Sequence, residues 1–129
     1  MINVNKYIKI PFKSHGRDFD GCDCYGLVRL VLKEEYGINI PDFWDYSHAN
    51  DIKAVADLIM NNKAIVASKK KEYPDEGDIV VFRHSGAVCH VGIFVGEGLV
   101  LHMLNSANAN CNKLKAVEKL YKVEGFYEV

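Results

Sequence analysis

Asp23-Cys24-Tyr25-Gly26-Leu27-Val28-Arg29-Leu30-Val31-Leu32 begins an apolar run with a helical rhythm. Cys24, Leu27, Val28 and Val31 follow the i, i+3, i+4, i+7 spacing of one helix face, and Leu30 and Leu32 widen the stripe. Asp23 is of a type that caps helix N-termini, and Gly37 of a type that ends helices. The pattern predicts a buried helix from Cys24 to Tyr36 with the thiol in its first turn. Backbone N–H groups without helical partners and the positive end of the helix dipole lie there. That setting favours a thiolate, the nucleophilic form. A free cysteine is also a common small core residue. This stretch alone leaves both roles open for Cys24.

Upstream, residues 2–9 read as a short helix or a strand that Pro11 ends, and Lys13 to Gly21 as a loop. Downstream, Ile38-Asn39-Ile40-Pro41-Asp42 is an extended link, because the residue before proline avoids the helical region. Phe43-Trp44-Asp45-Tyr46 is an aromatic cover over something apolar. A second helix is expected from Asp51 to Asn61, with Ile52, Val55, Ala56 and Ile59 on one face. Lys69 to Glu76 reads as a charged loop, its lysine run solvated.

From Gly77 the rhythm changes. Asp78 to Phe82, Val88 to Val95 and Leu99 to Leu104 are strand candidates rich in β-branched residues, and Gly96-Glu97-Gly98 is a tight hairpin turn. Asn105 to Asn112 reads as a polar loop, Lys113 to Leu120 as a strand or helix, and Val123 to Val129 as a last strand. Helices first and strands after them predict an α+β fold with N-terminal helices packed on one side of an antiparallel sheet.

The 129 residues fit one domain, 1–129, and 49% hydrophobic residues can fill one core. A formal net charge of -1 argues against broad nucleic-acid or anionic-membrane binding. No signal-peptide pattern begins the chain and no apolar run is long enough to span a membrane, so folding in a cytosol is expected. Cys22, Cys24, Cys89 and Cys111 therefore suggest free thiols rather than a disulfide framework. Cys22, Cys24, Cys89 and His90 make a zinc alternative, but their spacings are not the usual Cys-x2-Cys pair. No metal and no cofactor are expected.

A cysteine nucleophile needs a base, and the base needs a group that holds its tautomer. His15 and His48 fall in expected loops, and His84 at a strand end. His90 and His102 lie on successive strands around the Gly96-Glu97-Gly98 turn. Counting outward from Glu97 places position 90 opposite roughly 104, with 102 a short diagonal away, and the two share a sheet face if the turn pairs them symmetrically and no bulge intervenes. One imidazole then reaches the other and leaves its second nitrogen for a thiol. Two half-buried histidines satisfied by backbone are the alternative.

These residues together resemble the NlpC/P60 family of cysteine peptidases. The matching strings are Asp23-Cys24-Tyr25-Gly26-Leu27-Val28, Gly77-Asp78-Ile79-Val80-Val81-Phe82 and His90-Val91-Gly92-Ile93-Phe94-Val95-Gly96, followed by His102. The resemblance covers residues 7 to 129. Ile10-Pro11-Phe12, His15-Gly16-Arg17-Asp18, Gly37 to Phe43 and the final Glu124 to Val129 are similar to the phage-tail members of that family.

The resemblance implies a papain-like layout and a cysteine peptidase. In that peptidase Cys24 is the nucleophile, His90 the base and His102 the orienting residue. Asp23, Tyr25 and Phe12 would face substrate. Tyr25 stands where relatives that bind a free N-terminal alanine often carry serine. Phe12 stands where many carry tyrosine, and Glu76-Gly77-Asp78 replaces Pro-Gly-Asp. The first two departures bear on which bond is cut. Asp23 is equally readable as a plain helix cap. The implied partners are a peptidoglycan stem peptide and other phage tail proteins, with no nucleic acid and no membrane. The rivals are a structural tail-assembly protein with an idle site and an amidase or acyl transferase of the same fold.

Overall fold

The computed structural model describes residues 2–42, 69–84, 87–103 and 107–129, with the side chains of 87–89 excepted. The expected aromatic cover, the expected second helix and His48 lie outside the described residues.

After a 3-10 turn at Val4–Lys6, a small ladder pairs β1 (Arg17–Asp18), inside the stretch read as a loop, with β2 (Gly21–Cys22) at its end. The helix α1 runs Cys24–Tyr36, as the spacing predicts. The Asp23 carboxylate accepts from the Gly26 N–H at 2.8 Å, and Gly37 ends the helix in the left-handed region at φ 67°. Gly26 is needed for closeness. A Cβ there would sit 1.9 Å from the Gly16 carbonyl oxygen, so only glycine lets the preceding loop lie against the helix start.

The remaining strands are β3 (Lys69–Lys71), β4 (Ile79–His84), β5 (Ala87–Gly96), β6 (Leu99–Met103), β7 (Ala109–Lys113) and β8 (Lys122–Glu128). They form an antiparallel sheet in the order β3-β8-β4-β5-β6-β7. Two stretches read as loops are strands. Asn110 and Asn112 are poor strand residues, yet β7 completes a ladder against β6 from Leu99–Lys113 to Met103–Ala109. Lys69–Lys71 pairs with the last strand as a lysine-rich sheet edge, a composition that discourages further pairing.

The sheet buries both faces. Leu27, Val28 and Val31 of α1 join Ile79, Val81, Val91, Ile93, Val95, Leu101 and Met103 in one core. Val80, Phe82, Phe94 and Val100 point the other way. They meet Val117 of the short helix α2 (Leu114–Val117), with Tyr121 and Val123 beside it. Helices on one side only is therefore too simple, because α2 covers the second face. Among the described residues no helix is long and apolar enough to cross a membrane.

Candidate active site

Gly77 and Asp78 bring the chain into β4. The Gly77 N–H donates to the Phe94 carbonyl at 2.8 Å, and the Phe94 N–H donates to the Asp78 carbonyl at 2.9 Å. The buried Asp78 carboxylate accepts from the Asp75 N–H at 2.7 Å and pairs with Lys71 at 2.7 Å. Gly77 and Asp78 are structural: they fix the start of β4 against the C-terminal end of β5.

β5 then presents His90 and β6 presents His102. Phe82 lies opposite His90, and Gly92 opposite His102. A Cβ on Gly92 would stand 2.8 Å from Val100 Cγ1 and 3.1 Å from His102 Cβ, so the missing side chain makes room for the diagonal contact. His90 Nε2 meets His102 Nδ1 at 2.9 Å. His102 Nε2 in turn meets Asn112 Oδ1 at 2.9 Å. The His90 ring stacks on Tyr121 with centroids 5.3 Å apart and tilts against Phe82.

Both imidazoles are buried. Burial, with the neighbouring His102 in second place, pushes His90 down to about 3. Burial also lowers His102, partly opposed by its bond to Asn112. Burial thus favours the neutral form of both rings.

Cys24 begins α1, half-buried against the core that α1 shares with the sheet. Cys24 and Tyr25 belong to the first turn, at the positive end of the helix dipole. The helix packs on β5 from the side of Val91 and Ile93, whereas the histidine rings lie with Phe82 and Tyr121. The fold thus joins the two histidines directly and brings the helix that starts with the thiol onto the strand that carries His90.

The remaining candidates surround the helix start. Asp23 accepts from Gly26, from Arg17 Nη1 at 2.9 Å and from the His15 N–H at 3.0 Å. Its cap role is filled, and Arg17 ties it onward to Asp42 at 2.7 Å. The Tyr25 ring is buried beneath the Arg17 guanidinium, and its hydroxyl donates to the Pro41 carbonyl. Phe12 is half-buried, bridges to Cys22 and donates its N–H to the Ala107 carbonyl at 2.9 Å.

Cys22 gives its Sγ–H to the Asp18 carbonyl at 3.1 Å, and burial with Asp23 and Asp18 nearby pushes this thiol up to about 12. Among the described residues no three His, Cys, Asp or Glu side chains gather as metal ligands. Asn112 is the member of the hydrogen-bond chain that sequence reasoning missed. It falls in a stretch read as loop, and only its even offset from Asn110 and its place one strand beyond His102 hint at it.

Known proteins share this fold. Murein DD-endopeptidase MepS/Murein LD-carboxypeptidase of Escherichia coli (strain K12) is 24% identical over 98 residues, which is 76% of this chain and 44% of that protein. The chain thus spans less than half the length of this relative. The NlpC/p60 domain of peptidoglycan hydrolase SagA superposes with a TM-score of 0.67 at 19% identity, covering 96% of this chain and 91% of that one. NlpC2 from Trichomonas vaginalis gives 0.69 at 19% identity over 97% of this chain and 44% of its own. At such identities the structures speak for the fold alone. The family model described as NlpC/P60 family matches residues 9–123, from before the β1–β2 ladder into the last strand. A match over that much of the chain, on an α+β fold of the same layout, establishes that the chain belongs to the NlpC/P60 family.

Proposed function

We propose that the chain is a cysteine peptidase that hydrolyses amide bonds in peptidoglycan stem peptides, with Cys24 as nucleophile, His90 as base and His102 as the residue that orients it. The observation that carries this reading is the direction of the histidine pair. His90 spends Nε2 on His102 and keeps Nδ1 out of that bond, as a base must that is to face a thiol. A thiol–imidazole contact that tightens only with substrate in place is ordinary in such sites. The murein peptidase named above supports the substrate class.

In the proposed reaction His90 Nδ1 takes the Cys24 proton and the thiolate attacks the amide carbonyl carbon. The tetrahedral oxyanion lies at the start of α1, where the helix dipole is positive and the Cys24 backbone N–H can stabilise it. The His90 imidazolium then protonates the leaving amine. Water hydrolyses the thioester and restores the thiol. The likeness of both chain ends to tail-associated members supports a place in a phage or prophage tail, aiding cell-wall penetration. Recovery of the chain from purified particles would test that placement.

The deciding experiment is digestion of purified peptidoglycan by wild type and by Cys24→Ala, with the fragments weighed by mass spectrometry. New stem-peptide fragments from wild type alone are the expected result. No fragments from a folded wild type would overturn the peptidase reading and favour a structural role for the chain.

A further inference from the structure

The hydrogen-bond chain does not stop at His102. Its Nε2 meets Asn112 Oδ1 at 2.9 Å, and an amide oxygen only accepts. The His102 nitrogen facing it must carry the proton. A neutral imidazole carries one proton, so His102 Nδ1 is then bare and accepts. Its partner at 2.9 Å is His90 Nε2, which must donate. His90 is neutral as well, enclosed between Phe82 and Tyr121, so its Nδ1 is bare in turn.

We propose that Asn112 is a positioning residue whose side-chain carbonyl sets the tautomers of His102 and then His90, leaving His90 Nδ1 as the proton-accepting atom. The ladder supplies the placement. Asn112 is the cross-strand partner of Val100, two residues before His102 on β6, and so shares the histidine face. The reversed amide, with Nδ2–H donating to His102, would invert both tautomers. It would put a proton on His90 Nδ1, which could then take none from a thiol. One amide orientation thus decides the protonation of an atom two side chains away. The inference rests on the peptidase reading only for the use made of that atom.

The test is nitrogen-15 NMR of the full chain, labelled at the histidine ring nitrogens, at neutral pH. Signals are assigned with His90→Gln and His102→Gln. The expected wild-type spectrum has both rings protonated at Nε2 and bare at Nδ1. Asn112→Leu should abolish the single tautomer of His102 and lower peptidoglycan turnover about 10- to 100-fold, the range for outer partners that orient a histidine. Asn112→Asp keeps an acceptor and should restore both the tautomer and most of the activity. A wild-type His102 protonated at Nδ1 overturns the proposal, and so does a folded Asn112→Leu with unchanged tautomers. If that variant does not fold, the wild-type spectrum and Asn112→Asp still decide. The expected tautomers in a protein that releases no fragments would sink the peptidase reading and leave the role of Asn112 standing.

Discussion

His90 Nε2 and His102 Nδ1 lie 2.9 Å apart because the hairpin between them slips by one residue. Gly96 pairs with Leu99 across a two-residue turn, with Glu97 at φ 54° and Gly98 at φ 74°. Positive φ at both central residues is the turn whose twist matches a hairpin. Continued regularly, that pairing would set Gly92 opposite Met103 and turn His102 toward the face of Ile93. The ladder instead shifts between Phe94 and Gly96, so Phe94 meets Val100 and Gly92 meets His102. This bulge returns both histidines to one face.

Two glycines of this hairpin should respond differently to alanine. At Gly98 a Cβ meets nothing within 4 Å, so the cost is backbone strain alone, about 1–2 kcal/mol. Thermal unfolding should show that loss with the histidine contact intact. At Gly92 the Cβ runs into Val100 and His102. Gly92→Ala should cost about 1–3 kcal/mol by overpacking and disturb the His102 ring signals as well. Equal spectra for the two variants would contradict the account.

Gly26→Ala should be more damaging than either hairpin substitution. Its methyl would overlap the Gly16 carbonyl oxygen, a backbone atom that cannot rotate away. A loss of about 3 kcal/mol or more is expected, read from the denaturant midpoint. A variant as stable as wild type would mean that the loop before α1 yields freely.

Acid should destabilise the protein in a window set by the buried histidines. In the unfolded chain a histidine takes up its proton near pH 6.5, whereas folded His90 stays neutral down to about 3. Below about pH 6.5 the unfolded state therefore binds more protons, and stability falls as pH falls. The slope from His90 alone approaches about 1.4 kcal/mol per pH unit between those limits. Unfolding curves from about pH 7.5 to about pH 4.5 should show a shallower slope in His90→Gln. An unchanged slope would show that His90 titrates equally in both states.

Thiol alkylation should discriminate among the described cysteines. Cys22 is fully buried, bonded to Asp18 and held as a thiol, and burial also raises Cys111. Cys24 is half-buried at a helix N-terminus, where a thiolate is favoured. Brief iodoacetamide treatment at neutral pH should modify Cys24 and spare Cys22 and Cys111, as read by peptide mapping. Faster modification of Cys111 would argue against an activated Cys24.

Local chemistry made α1 legible. Asp23, the apolar spacing and Gly37 all agree on a helix from Cys24 to Tyr36, and the structure has those bounds. The β4, β5 and β6 strands were readable from alternation and β-branched residues, and the shared face of His90 and His102 followed from counting outward from Glu97. The reason for that register differed, since a two-residue turn and a bulge replace a symmetric turn. β7 was not readable. Its asparagines have low strand propensity, and its stability comes from pairing with β6 rather than from its own residues.

The amino-acid order by itself determined the helix carrying Cys24 and the antiparallel run of strands, because caps, periodicity and turn residues act over a few neighbouring positions. Only the tertiary structure decided that Asn112 ends the histidine chain, that Asp23 is taken up by Arg17, His15 and the helix cap, and that Tyr121, beside α2, encloses His90. Those contacts join residues that no local pattern relates. They arise when strands pair and buried polar groups must find whichever partners the packed chain brings within reach.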